Sequence, residues 1–145
     1  MDYLYIVNVE AAIYYEGKFL IIKRSEKEEH AWGLYSLVGG KIDYDEDTSL
    51  IMKENLIREV EEEIGIRLDD QLEYIHSTAF KVEDTQVLNV VFLSLSFEGT
   101  PFIKSPDEVS EIKWLSNEEI QHSTEIPSWT KQSVQLAAKQ LKLTI

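Results

Sequence analysis

Glu59, Glu62 and Glu63 stand at i, i+3 and i+4 in the run Arg58-Glu59-Val60-Glu61-Glu62-Glu63-Ile64-Gly65-Ile66. On a helix those positions share one face, and Val60 and Ile64 point away from it. Like charges at that spacing cost a few tenths of a kcal/mol per pair, so a purely structural helix gains nothing from the crowding. A Mg²⁺ site does gain, because hard divalent cations select clustered carboxylate oxygens. Beside a phosphate, such a cation screens charge, lowers the pKa of its water and stabilises a leaving oxygen. The plain alternative for any three clustered glutamates is a solvated acidic face, and the surrounding residues decide between the two.

The element that must carry these carboxylates is a helix ending near Ile64, with Gly65 as its C-cap. Leu56, Val60 and Ile64 recur at four-residue spacing and give it a buried stripe. Asp45 to Ser49 offers several N-cap residues. Upstream, Tyr3 to Tyr15 reads as a strand, Glu16-Gly17 as a tight turn and Lys18 to Lys23 as the returning strand of a hairpin. Arg24 to Ala31 is polar and reads as a loop, and Trp32 to Gly40 is apolar, with a backbone break at Gly39-Gly40. Leu72 to Lys81 and Gln86 to Phe97 pair around Glu83-Asp84, and Glu111 to Leu115 is a short strand. Ser116 caps a brief helix over Asn117 to Gln121. Pro127 to Leu141 is a terminal helix with Trp129, Val134, Ala137 and Leu141 on one side. The sum is an α+β chain, a mixed sheet with helices packed on it.

The central segment resembles the Nudix box, G-x5-E-x7-R-E-U-x-E-E-x-G-U, where U is a bulky aliphatic residue. Gly40 and Glu46 match its first half, and Arg58 through Ile66 match every fixed position of the second. Trp32, Leu37 and Gly39-Gly40-Lys41-Ile42 also look like the approach to the box. There are two departures. Eleven residues, not seven, separate Glu46 from Arg58, and Val38 stands where many members have proline. Four extra residues turn a helix by roughly 400°, a net rotation near 40°. The helix can therefore start a turn early, near Asp47 to Ser49, with its glutamate face almost in place; the other course is a bulged loop.

The resemblance implies a Nudix-like α/β/α sandwich, one domain over residues 1–145, and a hydrolase cutting the diphosphate bond of a nucleoside diphosphate-linked compound. It implies Mg²⁺, with Mn²⁺ able to substitute, held by the Gly40 carbonyl and the carboxylates of Glu59 and Glu63. Glu62 joins as a ligand or deprotonates a metal-bound water. Glu108 in Pro106-Asp107-Glu108 is the first choice for an additional carboxylate, with Glu111 next. Arg58 orients Glu59 or Glu46, its bland alternative being an i,i+4 pair with Glu54 or Glu62. Arg24 and Lys41 are the candidates for substrate contact. The proline that marks ADP-ribose hydrolases of the family is absent, Lys81-Val82 standing in its place, and the tyrosine of dinucleoside polyphosphate hydrolases is missing as well. By default the chain looks MutT-like, acting on nucleoside triphosphates. The competing classes are a catalytically silent Nudix-fold sensor of a nucleotide or sugar nucleotide, and an acidic interaction protein.

Composition agrees with this reading. The net charge is −13, which disfavours general binding to a nucleic-acid backbone and leaves a small phosphorylated substrate reached through a cation. There is no cysteine, so disulfides and thiolate metal sites are excluded and a cytoplasmic setting fits. No apolar run is long enough for a membrane span, and the N-terminal residues lack the pattern of a secretory signal. A homodimer is left open. His30, His76 and His122 lack ligand spacing and read as ordinary surface or loop residues.

Overall fold

The computed structural model describes residues 3–26 and 33–144; Ala31, His30 and Trp32 lie outside the described residues. In chain order the elements are β1 (Ile6–Tyr15), β2 (Lys18–Arg24), β3 (Tyr35–Ser36), β4 (Val38–Lys41), α1 (Ile51–Ile64), β5 (Arg67–Leu68), β6 (Leu72–Val82), β7 (Thr85–Ser94), β8 (Phe97–Glu98), β9 (Val109–Leu115), α2 (Asn117–His122) and α3 (Ser128–Thr144). The β1–β2 turn puts both central residues in the left-handed region, Glu16 at φ 48° and Gly17 at φ 83°. That twist matches the twist of the strands it joins.

The main sheet runs β3-β2-β1-β7-β6, with β4 on β1 and β9 on β2. β1 and β7 are parallel over Ile6–Ile13, and the other pairs are antiparallel, so the sheet is mixed as expected. β1 and β2 pair only beside their turn, at Tyr14–Phe19 and Tyr15–Lys18. Farther along they part, and β4 takes over Asn8 to Ala11 of β1. The sheet therefore opens into a fork, with the end of β2 on one prong and β4 on the other.

Alternation along β1 divides the interior. Val9, Ala11 and Ile13 pack with Leu56, Val60 and Ile64 of α1. Ala12 packs with Phe19, Ile21 and residues of α2 and α3 such as Ile120, Val134 and Ala137. Helices thus cover both faces. Ser116 and Glu119 form a reciprocal capping box at the start of α2. Among the described residues no helix is long and apolar enough to cross a membrane.

Several expectations are corrected. α1 begins at Ile51, capped by Leu50 without a side-chain bond, and not near Asp47 to Ser49. Thr48 explains the delay: its Oγ1 accepts from the Leu50 N–H at 3.1 Å and bonds the Glu54 carboxylate. A short polar side chain that holds nearby backbone offers the chain an alternative to helix. Part of the extra length therefore lies in the β4–α1 loop. Gly39-Gly40 is not a break but part of β4, where a Cβ on Gly39 would collide with the Val9 carbonyl. On α3 the buried side is Thr130, Ser133, Val134, Ala137 and Leu141, and Trp129 is 62% exposed. His76 is a half-buried strand residue whose Nε2 lies 2.9 Å from Ser133 Oγ of α3.

Leu56→Ala should cost about 2–5 kcal/mol in urea unfolding, because it opens a cavity under α1. Trp129→Ala should stay within about 0.5 kcal/mol. A loss at Trp129 as large as the one expected at Leu56 would mean that the two faces of α3 have been confused.

Candidate active site

α1 presents its charged face toward the fork. Glu63 is 1% exposed, although it is a carboxylate. Its Oε1 accepts from Arg24 Nη1 at 2.5 Å, and Arg24 Nη2 donates to the Gly39 carbonyl at 3.2 Å. Glu63 Oε2 is buried without a hydrogen-bond partner. Glu59 lies one turn back. A Cβ on Gly40 would stand 2.5 Å from its Oε2, so a larger residue there would push the Glu59 side chain aside.

Glu108 arrives from the far side of the sequence. The Phe102 N–H donates to the Ile64 carbonyl at 3.0 Å and the Lys104 N–H to the Glu63 carbonyl at 3.1 Å, filling acceptors that the end of α1 leaves open. A turn follows, in which the Glu108 and Val109 N–H groups donate to Ser105 O, and the Glu108 carbonyl accepts from Ser25 N at 2.9 Å. One oxygen each from Glu59, Glu63 and Glu108 then lie within 4.8 Å of one another. Three hard oxygens on carboxylates, one of which, Glu63, has a buried and unsatisfied oxygen, suit a divalent cation. Burial pushes the Glu63 carboxyl up to about 8, against the pull of Arg24, and raises Glu59 also, against the pull of Arg58.

The remaining candidates fall into place around this cluster. Glu62 stays outside it, its side chain 56% exposed and held by Arg58 Nη1 at 3.2 Å. Arg58 also reaches Glu59 at 3.3 Å, Asp43 at 3.4 Å and Asn55 Oδ1 at 2.8 Å, so it does more than make an i,i+4 pair. Glu46, the other partner expected for Arg58, is exposed in the loop. Glu111 does not join the cluster: it accepts from Tyr35 Oη at 2.8 Å and pairs with Lys113. Arg24, expected at the substrate, is engaged by Glu63 and Gly39. Lys41 is exposed at the end of β4. Asn55 was not anticipated. It is buried, accepts from the Asp43 N–H at 2.9 Å and donates to the Ile51 carbonyl at 2.9 Å, tying the loop to the helix. An amide among the apolar positions of α1 is the only sequence signal it leaves.

A mixed sheet between helices, with clustered carboxylates from one helix facing a glycine strand, defines the class of protein. The chain belongs to the NUDIX domain family, whose model matches residues 4–137. It is 34% identical over 107 residues to the uncharacterized Nudix hydrolase YfcD of Escherichia coli strain K12, a match covering 72% of this chain. The chain spans about half of that relative's length, 54%. Among solved structures, the MutT protein of Methanosarcina mazei Go1 superposes with a TM-score of 0.80 at 29% identity, covering 95% of this chain and 96% of that one. The MutT NUDIX hydrolase of Burkholderia pseudomallei gives 0.78 at 25% identity, covering 92% and 98%.

The raised Glu63 pKa has a consequence for the metal-free protein. An unfolded glutamate titrates near 4.3, so between there and about 8 the native state keeps a proton that the unfolded chain has lost. Stability must then fall as pH rises through that window. In EDTA, Tm should drop by roughly 10 °C between pH 5 and 8, and Glu63→Gln should make the drop smaller, the remainder belonging to Glu59 and Glu10, whose carboxyls burial also pushes up. An unchanged slope in that variant would place the titration elsewhere.

Proposed function

We propose that the chain is a Mg²⁺-dependent hydrolase, with Mn²⁺ able to substitute, of the diphosphate linkage in nucleoside diphosphate-linked compounds. We read residues 1–145 as one cytoplasmic domain, and nucleoside triphosphates as the first substrates to try. The observation that carries this reading is the convergence of Glu59, Glu63 and Glu108, where Glu63 has a buried oxygen that no protein group satisfies. Those three carboxylates and the Gly40 carbonyl would hold the cation. When bound, it would screen phosphate charge and lower the pKa of a coordinated water.

The chain's own residues supply the rest. Glu62 is the more solvated carboxylate of the face and is assigned the base: it takes the proton as water attacks phosphorus and the bridging P–O bond breaks. Arg58, hydrogen-bonded to Glu62 and ion-paired to Glu59, positions both. Arg24 holds Glu63 from below. Lys41 stands at the open rim for a second phosphate contact.

A panel of nucleotides with Mg²⁺, Mn²⁺ or EDTA, read by phosphate or diphosphate release, tests the activity. Glu62→Gln should lower kcat by about 10²–10⁴-fold while Mn²⁺ binding, read by electron paramagnetic resonance, changes little. Glu63→Gln should lose both. Full turnover in EDTA, or in both variants, would defeat the reading.

A further inference from the structure

The face of the sheet opposite α1 is only partly covered by α3, and three polar side chains stand in its middle. Even-numbered residues of β1 point there, and their register places Asn8 beside Asn89 of β7. Asn8 Nδ2 donates to Asn89 Oδ1 at 2.6 Å, and Asn89 Nδ2 donates to Glu10 Oε1 at 2.8 Å. All three are half-buried. The direction of this chain is set at one end: Glu10 as a carboxylate can only accept, so Asn89 must turn its amide nitrogen to it. Asn89 then offers its oxygen to Asn8, and Asn8 must turn its own oxygen outward.

Two acceptors are left over, Asn8 Oδ1 and Glu10 Oε2. Neither is a sealed, unsatisfied atom, so both remain reachable from solvent. Burial pushes the Glu10 carboxyl up, against the bond from Asn89 and the charge of Arg24. The group is thus short of the donors that water would supply. Around the triad, Ile6, Val87 and Phe80 share its face, in register with one another, and Thr78 is the cross-strand partner of Asn89. Phe80 is 50% exposed. Lys41 pairs with Asn8 and shares the triad's face, and Arg24, which holds Glu63, also donates to the carbonyl of Gly39, the residue paired with Glu10. The patch therefore adjoins the candidate cation site.

We propose that Asn8, Asn89 and Glu10 read the base of the substrate, and that they select a base presenting an amino group. A planar ring suits Ile6, Val87 and Phe80, and N–H donors suit the two free acceptors. Phosphate and carboxylate groups do not, because they bring only further acceptors at pH 7. The inference rests on the hydrolase reading only for its biological use, since it can be tested on binding alone.

Nucleoside monophosphates titrated in EDTA, followed by calorimetry, form pairs with and without an exocyclic amino group, GMP and IMP differing there alone and CMP and UMP also at ring N3. GMP should bind more tightly than IMP, and CMP more tightly than UMP, by about tenfold. Glu10→Gln keeps the bond from Asn89 and turns the outward oxygen into an amide donor, so the preference should shrink or reverse toward IMP and UMP. Asn8→Ala should weaken GMP and CMP while leaving IMP and UMP nearly unchanged, which guards against a Glu10→Gln protein that fails to fold. Equal affinity within both pairs for the parent, no binding of any monophosphate, or an Asn8→Ala variant with the parent's preferences would overturn the proposal. Base preference without hydrolysis of any nucleotide would leave it standing and remove the hydrolase reading instead.

Discussion

The Glu63 carboxyl has almost no contact with water, and the architecture around it can be understood as the means of keeping an ionisable group there. An isolated carboxylate would be neutralised or expelled from such a place. Arg24 meets it from the end of β2, and Arg24 can do so only because β1 and β2 separate after their turn. The same guanidinium takes the Gly39 carbonyl, so the two prongs of the fork are tied across the charge. Glu59 and Glu108 then bring like charge to the same point. Without a cation the arrangement works against folding.

Backbone proximity is the second requirement. β4 lies against β1 on one side and against Glu59 on the other, and each side excludes a Cβ at one glycine: Gly39 at the Val9 carbonyl, Gly40 at the Glu59 carboxylate. The paired glycines thus do not interrupt the strand. They let the strand lie close to β1 and to the Glu59 side chain at once.

Much of this was legible in the chain. The periodicity of Leu56, Val60 and Ile64 located the buried stripe of α1, and Glu59, Glu62 and Glu63 followed from their offsets. Glu108 could be named before Glu111 only from its neighbourhood, because what delivers it is the end of α1, a long-range contact that no local pattern encodes. Burial within the glutamate face was also invisible: spacing placed Glu62 and Glu63 together, whereas packing left one exposed and sealed the other. The start of α1 was misjudged because several residues before it can cap a helix, and the side chains of Asp47 and Thr48 bond their neighbours instead. Trp129 was grouped on one side with Val134, Ala137 and Leu141, although its position on α3 falls outside the buried stripe. Glu10 and Asn89 gave a fainter signal, polar residues inside otherwise apolar strands.

The frame of the site hangs from the C-terminal end of α1. The Glu63 and Ile64 carbonyls hold the segment that carries Glu108, and Gly65 closes the helix in the left-handed conformation. Spacing therefore has to be kept when counted backward from Gly65, and much less so at the other end. Chain added between Glu46 and Ile51 lengthens a solvent-exposed stretch and leaves the carboxylate geometry untouched. In evolutionary terms the segment is a permissive margin beside an intolerant core, where insertions can accumulate or a foreign loop be grafted at little cost to the site.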